Sequence, residues 1–420
     1  MTNSSEYYDE LETRSADERQ ATLVDSLPSQ VANAKSSAPY FSELLNEFIA
    51  QEINTIEALS RLPVTRKSDL IELQKNNPPF GGLTTRPPGQ LKRIFQSPGP
   101  IYEPEGFGKD WWGTARALHA AGFREGDILH NTFSYHFTPA GFMLETGAAQ
   151  LGCAVFPAGV GNTELQVRAM ADMRPNGYAG TPSFLRILLD RAEDMKLDIS
   201  SIKKSLVGGE ALPPSLRGAI EDRGVNCQQV YATADLGSIG YESPAREGLI
   251  VDEGLLVEIV RPGTNDPVTH GEVGEVVATS FAPEYPLIRF GTGDLSAFLD
   301  GESPCGRTNV RLKGWMGRAD HTAKVKGMFV LPAQVAEIIK RHQEILRARL
   351  IIDQRNGVDV MTLSCEVKKP EVATDGSNNL VGDISATIQA VCKLKGEVGF
   401  TEPGSLPNDG KVIDDIREYE

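Results

Sequence analysis

The residues best placed to do chemistry are carboxylates and lysines set at the ends of glycine turns. In Phe290-Gly291-Thr292-Gly293-Asp294 the glycines make a tight turn and present a carboxylate. Such a group can accept two hydrogen bonds from a ribose diol. Gly317-Arg318-Ala319-Asp320 follows, and the planar fork of Arg318 suits ribose or phosphate. In Lys324-Val325-Lys326-Gly327 the two lysines share one face of an expected strand, and Gly327 allows close approach of another group. Gly404 to Gly410 is turn-rich and presents Lys411 near the end of the sequence. Tyr231-Ala232-Thr233-Ala234-Asp235 offers a ring that can stack, a hydroxyl and a carboxylate able to hold Mg²⁺. Val207-Gly208-Gly209-Glu210 reads as a strand end opening into glycines, where α/β sheets bind ligands. Each segment alone is an ordinary turn or strand edge; their order and spacing carry the argument.

The elements that must position these groups follow from periodicity. Residues 1–60 read as mainly helical and polar, and 78–105 as a Pro/Gly-rich loop. From 108 to 235 helices and short apolar strands alternate. Helices are expected at 111–121, 140–151 and 163–173, the last with Leu165, Ala169 and Met173 on one face; strands are expected at 127–131, 154–157, 177–179 and 205–207. That alternation predicts an α/β fold with a mostly parallel sheet covered on both faces. Residues 249–281 read as antiparallel strands, a β subdomain. The rest reads as a small α+β unit. It has a strand at 322–329, a helix opened by Pro332 with Val335, Ile338 and Ile339 inward, two strands around Asn356-Gly357, and a second helix from Val381 to Val391. The division is expected at residues 1–318 and 319–420.

The chain has 420 residues and a net charge of −15. An acidic surface argues against nucleic acid and anionic membranes as partners. No signal-peptide pattern and no run of 18 apolar residues is present, and the five cysteines are scattered, which fits reduced thiols in a cytoplasm.

Taken in series, the chain resembles the adenylate-forming superfamily and, within it, the phenylacetate-CoA ligase family. Further matching segments are Leu62 to Leu70 (LPVTRKSDL), Phe133 to Leu185 and Leu331 to Val335. The resemblance implies ATP-dependent, AMP-forming activation of an aryl carboxylic acid, of phenylacetate or benzoate type, then thioester formation with coenzyme A. It implies a large AMP-binding domain and a small mobile lid domain, with ATP, Mg²⁺ and coenzyme A as cofactors, and it allows a homodimer. Lys411 would stabilise charge as the adenylate forms, with Thr233 near the α-phosphate and Asp235 near the metal. Gly208, Gly209, Glu210 and Tyr231 would line the nucleotide and acyl pockets; Asp294 would bind ribose and Arg318 ribose or phosphate. Asp320 would be the hinge. Lys324, Lys326 and Gly327 would serve coenzyme A. Tyr135, His136, Phe137, Phe142, Gly159 and Gly161 would form the acyl pocket. Loading of a carrier protein, or nucleotide binding without catalysis, remain open as alternatives.

The chain departs from that pattern in places. In Ser97 to Pro104 (SPGPIYEP), Glu103 stands where the phosphate loop carries lysine, and prolines remove backbone donors. Asp235 replaces a glutamate. Gly291 replaces an arginine, with Arg289 nearby. Cys305 alone remains of a cysteine-rich metal site, and Ser243 stands where another cysteine is usual, so no zinc is expected.

Overall fold

A computed structural model describes residues 6–319, 323–326, 328–355, 358–368 and 379–417. Its largest sheet has nine strands. Asn226–Thr233, Lys204–Val207, Gly177–Gly180, Ile128–Asn131 and Ala154–Pro157 run parallel in that spatial order. Beyond Asn226–Thr233 the sheet turns antiparallel through Gly237–Glu242, Leu249–Val251, Arg311–Leu312 and Phe298–Leu299. The sheet is therefore parallel in one half only.

Alternation along each parallel strand sends neighbouring residues to opposite faces. Ala179 and Leu206 bury against helices Thr114–Ala120 and Ala140–Gln150 through Leu118, Met143 and Leu144. Tyr178 and Val207 bury against helices Thr163–Met173 and Pro182–Met195 through Val167, Met170, Leu185 and Leu188. Both faces are covered, as the sequence predicts. In Thr163–Met173, however, the buried residues are Gln166, Val167 and Met170, while Leu165 is exposed.

Ile128–Asn131 leads out to its neighbour Ala154–Pro157, whereas Gly177–Gly180 leads out in the other direction to Lys204–Val207. Between the first strands of these pairs the connections diverge, and the crevice at their carboxyl ends is where such sheets bind ligands. Gly180 keeps that crevice tight: a Cβ there would fall 2.0 Å from Thr132 Oγ1 and 2.2 Å from Tyr178 Oη.

The stretch 78–105 is not all loop. Arg93–Ser97 and Ile101–Glu105 pair as an antiparallel hairpin, with Ser97 opposite Ile101 and Phe95 opposite Glu103. The prolines disguise it, because Pro98 and Pro100 sit in the turn where no ladder donor is needed.

Contacts divide the chain into two compact units. The first takes in the chain up to Val257 with Ala278–Phe290 and Phe298–Trp315; the second takes in Glu258–Val277, Gly291–Ala297 and the chain from Met316. The second unit carries a four-stranded sheet in the order Glu397–Thr401, Val358–Val367, Ile345–Arg355, Ile413–Asp415. Helices Pro332–Arg341 and Leu380–Cys392 pack on it through Val335, Ile338, Ile384 and Ile388. The expected single strand at 322–329 is instead a hairpin of Ala323–Val325 and Met328–Val330. Lys326 sits in its turn at φ 49°, outside both strands, so the two lysines do not lie two apart on one strand.

His119, in helix Thr114–Ala120, shows how the first core responds to acid. Burial, and next the Arg124 charge, hold its imidazole down at about 4 from an ordinary 6.5. The unfolded chain takes up a proton at the ordinary value while the fold resists it. Stability is therefore full above about 6.5 and falls as pH drops toward 4, by at most about 3 kcal/mol. Thermal unfolding at pH 7 and pH 5 should show a larger loss for the wild type than for His119→Gln.

Candidate active site

A cavity of about 560 Å³ lies in the first unit, at the carboxyl ends of the parallel strands. Thr132 and Phe133 enter it after Ile128–Asn131, Thr181 after Gly177–Gly180, and Gly208 and Gly209 after Lys204–Val207. Val230, Ala232, Thr233 and Ala234 come from the end of Asn226–Thr233 and the residue after it. Ser97 and Pro98 bring the hairpin turn to the cavity, while Met143, Leu144 and Phe184 supply apolar surface from two helices. No charged side chain lines it among the described residues. Gly209 adopts φ +79°, a left-handed conformation that glycine takes without strain.

Of the residues expected from the sequence, Gly161, Gly208, Gly209 and Thr233 line this cavity, and Tyr135, His136, Phe137, Phe142 and Gly159 do not. Phe142 packs on Phe95 at 5.5 Å and beneath the Arg93 guanidinium at 4.4 Å, which fixes it in the core. Tyr135 meets Phe142 edge-on and accepts a hydrogen bond from Asn131 Nδ2 at 2.8 Å. Phe137 is 76% exposed, and His136 is exposed on the same loop. The aromatics facing the cavity are Phe133 and Phe184 instead. Gly159 contributes through its carbonyl: buried Gln166 donates to Gly159 O at 2.9 Å and Gly161 O at 2.7 Å, fixing the loop that carries Gly161. Tyr231 is half-buried in its strand. Glu210 is exposed and accepts the Ser183 N–H at 2.7 Å, near the start of helix Pro182–Met195, where a carboxylate is favoured.

Beside the cavity the hairpin holds a buried ionic cluster. Glu103 is fully buried and accepts from both the N–H and the hydroxyl of Ser97. Asp235 is buried, with its Oδ2 2.6 Å from Lys67 Nζ. Burial, and next the Asp235 carboxylate, push Glu103 up to about 7, against the Ser97 hydrogen bonds and the Lys67 charge. Lys67 lies in the LPVTRKSDL segment, 168 residues from its partner, so no local pattern announces the pair.

In the second unit Asp294 and Arg318 come together, a contact the sequence does not announce. They form a backbone bridge, and Arg318 Nη1 donates to Asp294 Oδ1 at 3.1 Å. Arg289 does not stand in for the arginine missing at Gly291: it is wholly buried and donates to the carbonyls of Ser60 and Leu62. Lys411 is ion-paired with Asp414 at 3.1 Å and lines a cavity of about 490 Å³ within the second unit. The Lys326 N–H donates to Asp359 at 2.9 Å. Lys324 lies in strand Ala323–Val325. Asp320 and Gly327 fall outside the described residues.

No three His, Cys, Asp or Glu side chains cluster as a metal set among the described residues. Cys305 Sγ lies 3.1 Å from Ser303 Oγ and 3.7 Å from Arg307 Nη1. Burial raises its thiol, but hydrogen bonds from Ser243, Ser303 and Arg307 outweigh that and hold it below its ordinary value. Burial pushes Cys153, Cys227, Cys365 and Cys392 up. Iodoacetamide should therefore alkylate Cys305 at least about tenfold faster than any other cysteine, as read by peptide mass mapping.

The comparisons with known proteins place the chain among AMP-binding enzymes. The family model for the AMP-binding enzyme matches residues 111–281, and that for its C-terminal domain matches 327–416. The phenylacetate-coenzyme A ligase of Thermus thermophilus is 30% identical, over 96% of both chains; that of Aromatoleum evansii is 28% identical over 91% of both. The chain belongs to the phenylacetate-CoA ligase-like family of adenylate-forming enzymes. A solved 2-hydroxyisobutyryl-CoA ligase bound to its acyl-AMP and CoA shares the fold, with a TM-score of 0.70 and 24% identity over 100% of this chain and 94% of that one. No helix among the described residues is long and apolar enough to cross a membrane.

Proposed function

We propose that the protein joins a small aryl carboxylic acid to coenzyme A in two steps. The carboxylate attacks the α-phosphorus of ATP, giving acyl-adenylate and pyrophosphate. The coenzyme A thiol then displaces AMP and forms the thioester. The observation that carries this reading is the cavity: apolar, uncharged at its wall, bearing Phe133 and Phe184, and placed at the carboxyl ends of the strands. Four curated phenylacetate-coenzyme A ligases of nearly the same length support the acid class.

The resemblance assigns the remaining roles. Asp294 holds the ribose hydroxyls and Arg318 the ribose or phosphate. Tyr231, Gly208, Gly209 and Glu210 frame the nucleotide, and Thr233 faces the α-phosphate. Lys411 neutralises charge in the first step; Lys324, Lys326 and Gly327 serve the second, around a hinge at Asp320. The division at 318/319 and a homodimeric assembly belong to the same proposal. Asp235 fits a magnesium ion, because its Oδ1 is buried and lacks a hydrogen-bond partner among the described residues. A magnesium ion held there would supply neutralisation of phosphate charge.

The test is to incubate the protein with Mg·ATP, coenzyme A and a panel of aryl and short aliphatic acids, then read products by mass. One aryl-CoA with stoichiometric AMP is expected. Preference for an aliphatic acid would overturn the aryl assignment, and acyl-AMP without acyl-CoA would point to a carrier protein as acceptor.

A further inference from the structure

A second cavity of the first unit, of about 800 Å³, shares no lining residue with the one at the strand ends. Among the described residues three arginines line it, Arg124, Arg246 and Arg307, against one carboxylate, Glu6. Arg307 and Arg246 are steadied by Glu12 and Glu221, neither of which lines the cavity. The wall itself is therefore cationic, on a chain whose net charge is −15.

Cys305 opens onto this cavity from a tight turn, in which the Gly306 N–H donates to Ser303 O at 3.0 Å. Its sulfur is partly exposed, 3.1 Å from Ser303 Oγ and 3.7 Å from Arg307 Nη1. A hydroxyl and a guanidinium at those distances favour the thiolate, which is the nucleophilic form of cysteine. The other four cysteines are free and buried. His119 lines the same cavity and is 7% exposed, and its Nδ1 has no hydrogen-bond partner among the described residues. Burial keeps that ring neutral at pH 7. A buried polar atom left without a partner is costly, and a ligand with amide or carboxylate groups would relieve it.

We propose that Cys305 is a modification site for anionic low-molecular-weight disulfides, which the arginines of the cavity draw in and hold while the thiolate reacts. The thiolate attacks one sulfur of the disulfide. A bond forms between Cys305 Sγ and that sulfur, and the original S–S bond breaks. The electron pair leaves with the second sulfur as a thiolate, which takes a proton from water. The disulfide is itself the oxidant, so no other reagent is needed. The site stands apart from the proposed ligase reaction, and its test needs no ligase substrate.

The test exposes the full chain at low salt to glutathione disulfide, which is anionic, and separately to cystamine, which is cationic. Adducts are located by peptide mass mapping, and each rate is divided by that of free cysteine with the same reagent. Cys305 should be modified first by glutathione disulfide, and the normalised rate should exceed that of cystamine at least about tenfold. The preference should shrink toward parity in about 1 M salt, where the charges are screened. Arg246→Gln, at the exposed rim, should cut the preference several-fold. Dithiothreitol should remove the adduct, and Cys305→Ser should not acquire it. The urea-unfolded chain should lose the preference, since its net charge of −15 favours the cation. Equal or faster reaction with cystamine, a preference untouched by salt and by Arg246→Gln, or earlier modification of another cysteine would overturn the site.

Discussion

Lys411→Ala should abolish adenylate formation and spare the second half-reaction. Removing a preorganised charge that stabilises a developing anion typically costs about 10²–10³ in rate, or about 3–4 kcal/mol. The substitution should cost the fold little. The lysine side chain is half exposed, and its Asp414 partner at 3.1 Å is a surface pair of the kind worth at most about 1 kcal/mol. Thermal unfolding should therefore be nearly unchanged while ATP-dependent AMP release falls at least about a hundredfold. Acyl-CoA formation from supplied acyl-adenylate should stay within a few-fold of wild type. Equal loss of both half-reactions would remove Lys411 from the first step.

Asp294→Ala should weaken nucleotide binding at the ribose. A carboxylate accepting from both hydroxyls makes hydrogen bonds each worth about 1.5–3 kcal/mol. Their joint loss lowers kcat/KM for ATP about a hundredfold or more. Local geometry fixes the carboxylate in place, since Gly293 takes φ +76° and Arg318 holds Oδ1 at 3.1 Å. Asp294→Asn keeps one acceptor oxygen and should fall between. AMP should raise the unfolding temperature of the wild type and not that of the alanine variant. An unchanged AMP-induced shift would place the ribose elsewhere.

Much of the fold is legible in the sequence because it is local. Ala154–Pro157 and Thr163–Met173 match the expected elements residue for residue, since an apolar run and a helical period announce themselves within a few residues. The features that differ depend on distant partners. Gln166 is buried and Leu165 exposed because Gln166 ties down the 159–161 loop, a need invisible in the helix alone. The 93–105 hairpin hides behind its prolines. Phe142 reads as pocket wall but packs between Phe95 and Arg93. In the candidate site, Gly208 and Gly209 lie at the cavity wall, at the strand end where the sequence puts them, because there the backbone itself is the feature. The aromatic wall does not, because Phe133 and Phe184 are distinguished from Tyr135 and Phe142 only by how the sheet and helices pack. The Lys67–Asp235 pair joins two segments that each stand out in the sequence, but 168 residues separate them and neither pattern names the other as its partner.

The measurement that bears most directly on the account is a mass analysis of the protein mixed with Mg·ATP and phenylacetate without coenzyme A, quenched, and then repeated with coenzyme A added. The account predicts phenylacetyl-AMP at about one per active site, converted on addition of coenzyme A to phenylacetyl-CoA with release of AMP. ATP left intact, with no acyl-AMP from phenylacetate or any other aryl acid, would contradict it.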